Sequence, residues 1–187
     1  DKLTVDNQDV RLEIGGLVGN LASTTNNVIE NCYSTCDIDA KANYYTFAGG
    51  LIGCFTAGAN VTVTISNCYA TGNIKSYANP NKSGSRAYSG GFISDTNKYK
   101  GDFSATLNIS NCFATGNVDA YANEYNYLGG FAALIANVKY DNLNNFAVNS
   151  QKFYINGTQQ NYGNWMYCTC TKLLDILNFV YENWDSN

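Results

Sequence analysis

Two short elements recur along this chain, and a fixed repeat constrains a fold more than any local preference does. Gly15-Gly16-Leu17-Val18-Gly19 returns as Gly49-Gly50-Leu51-Ile52-Gly53, Gly90-Gly91-Phe92-Ile93-Ser94 and Gly129-Gly130-Phe131-Ala132-Ala133, at spacings of 34, 41 and 39 residues. Between them stands a second element, Asn31-Cys32-Tyr33-Ser34-Thr35-Cys36-Asp37-Ile38. It returns as Asn67-Cys68-Tyr69-Ala70-Thr71-Gly72-Asn73-Ile74 and Asn111-Cys112-Phe113-Ala114-Thr115-Gly116-Asn117-Val118. Each copy continues in register, through Asp39-Ala40-Lys41-Ala42-Asn43, Lys75-Ser76-Tyr77-Ala78-Asn79 and Asp119-Ala120-Tyr121-Ala122-Asn123. A repeat of this length is one supersecondary unit that buries its apolar face only against its neighbours.

Within each repeat the apolar period is two, which argues strands. Val61, Val63 and Ile65 alternate with threonine and serine, as Ala105, Leu107 and Ile109 do with Thr106, Asn108 and Ser110. Ile74, Ser76 and Ala78 alternate with Lys75 and Tyr77, with small residues on one side. These patterns predict an all-β fold: a parallel β-solenoid of about three to four coils, each of three short strands, stacked about 4.8 Å apart. The column Ile38, Ile74, Val118 and the column Cys32, Cys68, Cys112 should then point inward as ladders. Asn31, Asn67 and Asn111 should share a corner, and the paired glycines another, through positive φ or close backbone approach. Residues 79–88 and 95–104 read as projecting loops. After about residue 137 the repeat decays. Residues 146–160 could pair as a partial coil, and from Thr171 the stripe Leu173, Leu174, Leu177, Val180, Tyr181 and Trp184 predicts a C-terminal capping helix. The whole chain, 1–187, reads as a single domain, with repeats over 12–137 and the partial coil and cap over 138–187.

Composition narrows the chemistry. The 187 residues include no histidine, which removes Ser-His-Asp and Cys-His catalysis and histidine-ligated zinc. A formal charge of −4 argues against a nucleic-acid partner. No apolar run is long enough to span a membrane, and asparagine makes up roughly 15% of the chain. A start at Asp1 without an apolar leader reads as a mature or excised piece of a larger exported chain.

The motif Gly-Gly-Leu-Val-Gly followed by Asn-Cys-Tyr-Ala-Thr-Gly-Asn resembles the GLUG repeat of bacterial surface and secreted proteins, among them adhesins and the non-catalytic regions of IgA peptidase-like proteins. That resemblance, over residues 12 to about 137, implies a right-handed β-helix on an exported protein whose activity, where it has one, lies in other domains. Cys36 departs from the pattern where the other copies have Gly72 and Gly116.

Of the seven cysteines, Cys32, Cys68 and Cys112 fit a buried thiol ladder, since stacked parallel side chains are poorly oriented for a disulfide. An all-cysteine zinc site or calcium on Asp37 and Asp39 would need ligands that the register does not repeat, so no metal and no cofactor is expected. The outward column Asp39, Lys75, Asp119 reads as a charge ladder in preference to a glycosidase pair, and no catalytic residue is assigned. The most suggestive outward feature is aromatic. Tyr77 and Tyr121 share a column with Lys41, and Tyr44, Tyr45, Tyr88, Tyr99, Tyr125 and Tyr127 fall in adjoining loops. Tyrosine beside asparagine can stack on sugar faces, while the same rings also stabilise neighbouring strands. The chain therefore reads as a non-enzymatic cell-surface or secreted module, part of an adhesin, that displays loops to an extracellular glycan or a host or surface protein, with no nucleic acid and no membrane insertion. Lys41, Tyr77, Tyr121 and Tyr125 are its candidate ligand-binding residues. The alternatives are a carbohydrate-binding or carbohydrate-active protein using the tyrosine face, and a stalk without a ligand.

Overall fold

The structure, a computed structural model, describes residues 1–7, 9–96, 104–135, 139–143, 145–148 and 150–160. These form twenty-two short strands in five sheets, and all but the last of them pair in parallel with a strand five places away along the chain. Sheet 1 holds Lys2–Asp6, Asp37–Ala42, Ile74–Ala78, Val118–Tyr121 and Phe153–Ile155, with Thr158–Gln160 added antiparallel at its end. Sheet 2 holds Arg11–Gly15, Tyr45–Gly49, Arg86–Gly90 and Tyr125–Gly129, and sheet 3 holds Val18–Ser23, Ile52–Ala57, Ile93–Asp95 and Ala132–Leu134. Sheet 4 holds Asn27–Glu30, Thr62–Ser66, Thr106–Ser110 and Lys139–Leu143, while sheet 5 is four two-residue strands, Tyr33–Ser34, Tyr69–Ala70, Phe113–Ala114 and Phe146–Ala147.

This corrects the expected fold. In place of a right-handed β-helix with three-stranded coils and a helical cap, the described residues form several separate short parallel sheets of four to six strands, with no helix among them. Each repeat breaks into five strands because two corners interrupt runs that the alternation alone would join. Asn31, Asn67 and Asn111 take φ values of 54°, 53° and 54°, a left-handed conformation that asparagine tolerates, and end the strands of sheet 4. The glycine pair ends the strands of sheet 2 by close approach, with no positive φ: a methyl group on Gly50 would overlap the carbonyl oxygen of Gly91. The helix predicted from Thr171 lies outside the described residues. The predicted loop over 79–88 is shorter, because Arg86–Gly90 is a strand, and Tyr45, Tyr88, Tyr125 and Tyr127 stand in sheet 2 and not in loops.

The alternating residues divide as their polarity requires. Val63, Ile65, Leu107 and Ile109 of sheet 4 meet Ile52, Phe55, Ile93, Cys68 and Cys112 in the largest core, with Phe92 stacked on Phe131 at 4.6 Å. Sheets 1 and 2 pack through smaller residues, among them Ala40, Ala48, Ala78, Ala87 and Ala120. Small side chains bring these sheets close enough for buried hydroxyls to reach across. Thr46 donates to the Tyr77 carbonyl at 2.9 Å, Ser76 to Tyr88 at 2.8 Å and Ser89 to Asp119 at 2.7 Å. These bonds fix sheet 1 on a rigid backing, each contributing about 1 kcal/mol net.

The cysteine ladder is also hydrogen-bonded. The Cys32 N–H donates to Cys68 Sγ and the Cys68 N–H to Cys112 Sγ, both at 3.4 Å, and the Cys112 N–H ends on Asn145 Oδ1 at 2.9 Å. All three cysteines are free thiols. At the adjoining corner Asn111 donates its amide to Asn67 Oδ1 at 3.2 Å. Asn145 was missed in the sequence, although Asn144-Asn145-Phe146-Ala147 echoes Asn111-Cys112-Phe113-Ala114.

Candidate functional site

Period two sends every second residue of sheet 1 to its outer face, and parallel register turns those residues into columns. One column runs Thr4, Asp39, Lys75, Asp119, Tyr154 and the next runs Asp6, Lys41, Tyr77, Tyr121. A third is a ladder of short polar side chains. Asp37 Oδ1 accepts the Asn73 N–H at 2.7 Å, Asn73 Oδ1 accepts the Asn117 N–H at 3.0 Å, and Asn117 Oδ1 accepts the Lys152 N–H at 2.8 Å.

Two hollows lie on this face. One, of about 310 Å³, is lined by Asp39, Lys75, Asp119, Asn73, Asn117 and Tyr154 among others. The other, of about 470 Å³, is lined by Asp6, Lys41, Asn43, Lys75, Tyr77 and Asn79 among others. Lys75 belongs to both. Its ammonium sits 4.9 Å from the centre of the Tyr121 ring, a cation–π contact. Lys2 pairs with Asp39 at 3.2 Å, and Lys41 lies 3.9 Å from Asp6. The expected charge ladder thus takes a different form: Lys75 leans onto the aromatic ring, and Asp39 finds its cation in Lys2.

Asp39 and Asp119 each keep one buried carboxylate oxygen, Oδ1, without a hydrogen-bond partner. Burial raises the Asp119 carboxyl above the ordinary aspartate range, against the opposing pull of Lys75 and the Tyr121 hydroxyl, with Asp39 adding to the rise. Burial and the neighbouring Asp119 likewise push the Tyr121 phenol up. Such a face can offer hydrogen-bond acceptors, one movable ammonium and aromatic edges to a polar ligand. Among the described residues no group of three or more cysteine or carboxylate ligands could hold a metal ion.

The structure brings Lys41, Tyr77 and Tyr121 together and leaves Tyr125 elsewhere. Tyr77 and Tyr121 lie 5.9 Å apart with their rings tilted by 35°, so they do not form a coplanar platform. Tyr125 is in sheet 2, with the Arg86 guanidinium 5.0 Å from its ring centre, and lines neither hollow. Tyr88 is buried between Phe47 and Tyr127, at 4.5 and 4.6 Å. Arg11 closes that column at 4.2 Å from the Phe47 ring and is itself paired with Glu13.

No family model matches the chain, so the GLUG resemblance is not carried by one, and no curated protein matches it. Among solved structures the fold is similar to that of a "putative immunoglobulin A1 protease" from Bacteroides ovatus, with a TM-score of 0.62 and 18% identity. The likeness covers 94% of this chain and 49% of that one, so this chain spans about half the length of the protein whose fold it shares.

Proposed function

We propose that this chain is a non-enzymatic recognition module of a larger bacterial surface or secreted protein, and that it meets its ligand, an extracellular glycan, on the outer face of sheet 1. The observation that carries this reading is the pair of adjoining hollows sharing Lys75 and flanked by Tyr77. Their linings alternate amide, carboxylate and ammonium groups, the donor and acceptor mixture that hydroxyl-rich ligands use, and the tyrosine edges add low-entropy contact area. In this reading recognition lies on a sheet face backed by buried hydroxyl bonds and not on projecting loops. A non-enzymatic role is supported by the lack of histidine and by Lys75 standing between the two aspartates in register. The surface location rests on the resemblance of the two repeat elements to those of exported bacterial proteins.

A glycan array probed with the folded chain tests the reading, with hits remeasured by calorimetry on Tyr77→Ala and Lys75→Ala. A hit weakened tenfold or more by both substitutions, with unchanged melting, is the expected result. A hit that neither variant weakens moves the site off sheet 1. Binding to a surface protein and to no glycan changes the ligand class.

A further inference from the structure

Resting on the reading of sheet 1 as the glycan face, we infer that its ligand is a neutral, linear polysaccharide lying across the strands, at least three sugars of which are fixed between Asp39 and Asp119. The three strands that carry this face, Asp37–Ala42, Ile74–Ala78 and Val118–Tyr121, are each paired on both sides, so the face lies within the sheet and not at its edge. Across those strands the outer side chains form three parallel rows, each repeating at the strand spacing of about 4.8 Å. One row is Asp37, Asn73 and Asn117, the next Asp39, Lys75 and Asp119, and the third Lys41, Tyr77 and Tyr121. A compact ligand uses one member of each row. An extended chain of pyranose rings advances by about one strand spacing per sugar and so meets successive members of all three.

The middle row sets the chemistry. Asp39 and Asp119 line the same hollow, two strand spacings or about 9.6 Å apart, and each keeps an Oδ1 without a hydrogen-bond partner. An acceptor left unmatched away from water is costly, and a hydroxyl donated to a carboxylate makes a strong bond. Lys75 stands between the two in register, yet its ammonium rests on the Tyr121 ring at 4.9 Å. A single cation–π contact is a weak hold. The lysine tip can therefore shift to admit sugar hydroxyls to both carboxylates, and can itself donate to a ring or hydroxyl oxygen.

Charge selects a neutral sugar over an acidic one. The hollow sets the carboxylates of Asp37, Asp39 and Asp119 against the ammoniums of Lys2 and Lys75, and Lys2 is already paired with Asp39. A sugar carboxylate or sulfate placed among them meets more like charge than opposite charge, which weakens binding. Hydroxyls meet both signs, donating to the aspartates and accepting from Lys75. A single sugar reaches one aspartate, whereas three in line reach both.

Calorimetry of the full chain with oligosaccharides of cellulose, chitin, mannan and xylan, from the single sugar to six units, tests the inference, with oligogalacturonates of the same lengths as the acidic counterpart. The expected result is a neutral series in which the third unit tightens binding at least tenfold, and oligogalacturonates that bind at least tenfold more weakly. Asp39→Asn and Asp119→Asn, each with unchanged melting, should erase the gain from the third unit and leave the disaccharide within about twofold of the parent. A neutral series bound without that gain, or a gain that both substitutions leave intact, overturns the inference, and the sheet 1 reading stands if Tyr77→Ala still weakens binding. Tighter binding of the oligogalacturonates, or no binding of any neutral series, overturns it as well. Failure of the sheet 1 reading shows differently, as binding that Tyr77→Ala and Lys75→Ala both leave unchanged.

Discussion

Phe92 and Tyr33 stand in equivalent aromatic stacks but in opposite surroundings, so truncating each separates burial from stacking. Phe92 is fully buried and lies on Phe131 at 4.6 Å with an 8° interplanar angle; Tyr33 lies on Tyr69 at 5.0 Å and 10°, yet is 57% exposed. Phe92→Ala removes a whole buried ring among Ile52, Ile93 and Phe131 and leaves a cavity, a loss of about 3–5 kcal/mol of which stacking accounts for about 0.5–1.5. Against a typical domain stability of about 5–15 kcal/mol that is a large share. With a urea dependence of about 2 kcal/mol per molar, the unfolding midpoint should fall by about 1.5–2.5 M. Tyr33→Ala removes a comparable stack from a ring already largely in water and should shift the midpoint by only about 0.25–0.75 M. Urea titrations followed by circular dichroism, made at low protein concentration so that any self-association is absent, provide the comparison. Equal shifts for the two variants would refute the argument that the interior of sheets 3 to 5 is the main core.

A methyl group on Gly91 would overlap the Gly130 carbonyl, whereas one on Gly58 meets only ordinary contacts of 3.7 Å or more. Thermal melts should therefore show Gly91→Ala destabilised by about 1–3 kcal/mol and Gly58→Ala nearly unchanged. The Asp119 carboxyl is raised in the folded chain, chiefly by burial, so its contribution favours the fold below the ordinary aspartate value and is lost as pH rises through the higher folded value. Asp119→Asn should accordingly be at least as stable as the parent at pH 7, and that relative stability should fall away as pH drops through the raised folded value, the change being complete by the ordinary aspartate value. Burial, with the nearby carboxylates of Asp95 and Glu13, pushes the Cys54 thiol up to about 12, so it should stay unalkylated at pH 8 in the native chain. Among the described cysteines, half-buried Cys36 should be modified first, as mass mapping after brief iodoacetamide treatment would show.

Much of the ordering along sheet 1 is present in the linear chain. Ile38, Ile74 and Val118, and Lys41, Tyr77 and Tyr121, occupy the same place in successive repeats, and strand pairing preserves that register because one slip would exchange buried and exposed faces. The Asn-Cys element likewise marked a corner, since few residues other than asparagine and glycine hold a left-handed turn. Where the chain turns and how far each strand runs were not legible: alternation is the same whether a run is one strand or two, so three strands per repeat were expected where five form. The fate of the tyrosines was also decided in three dimensions. Tyr88 and Tyr77 look alike in sequence, but Tyr88 is sealed between Phe47 and Tyr127 while Tyr77 borders an open hollow, because only the packing of sheet against sheet determines which outward column is covered. The chain by itself determined which residues align; the tertiary structure decided which aligned columns meet water, because burial depends on neighbours that are distant in sequence and meet only when the sheets pack.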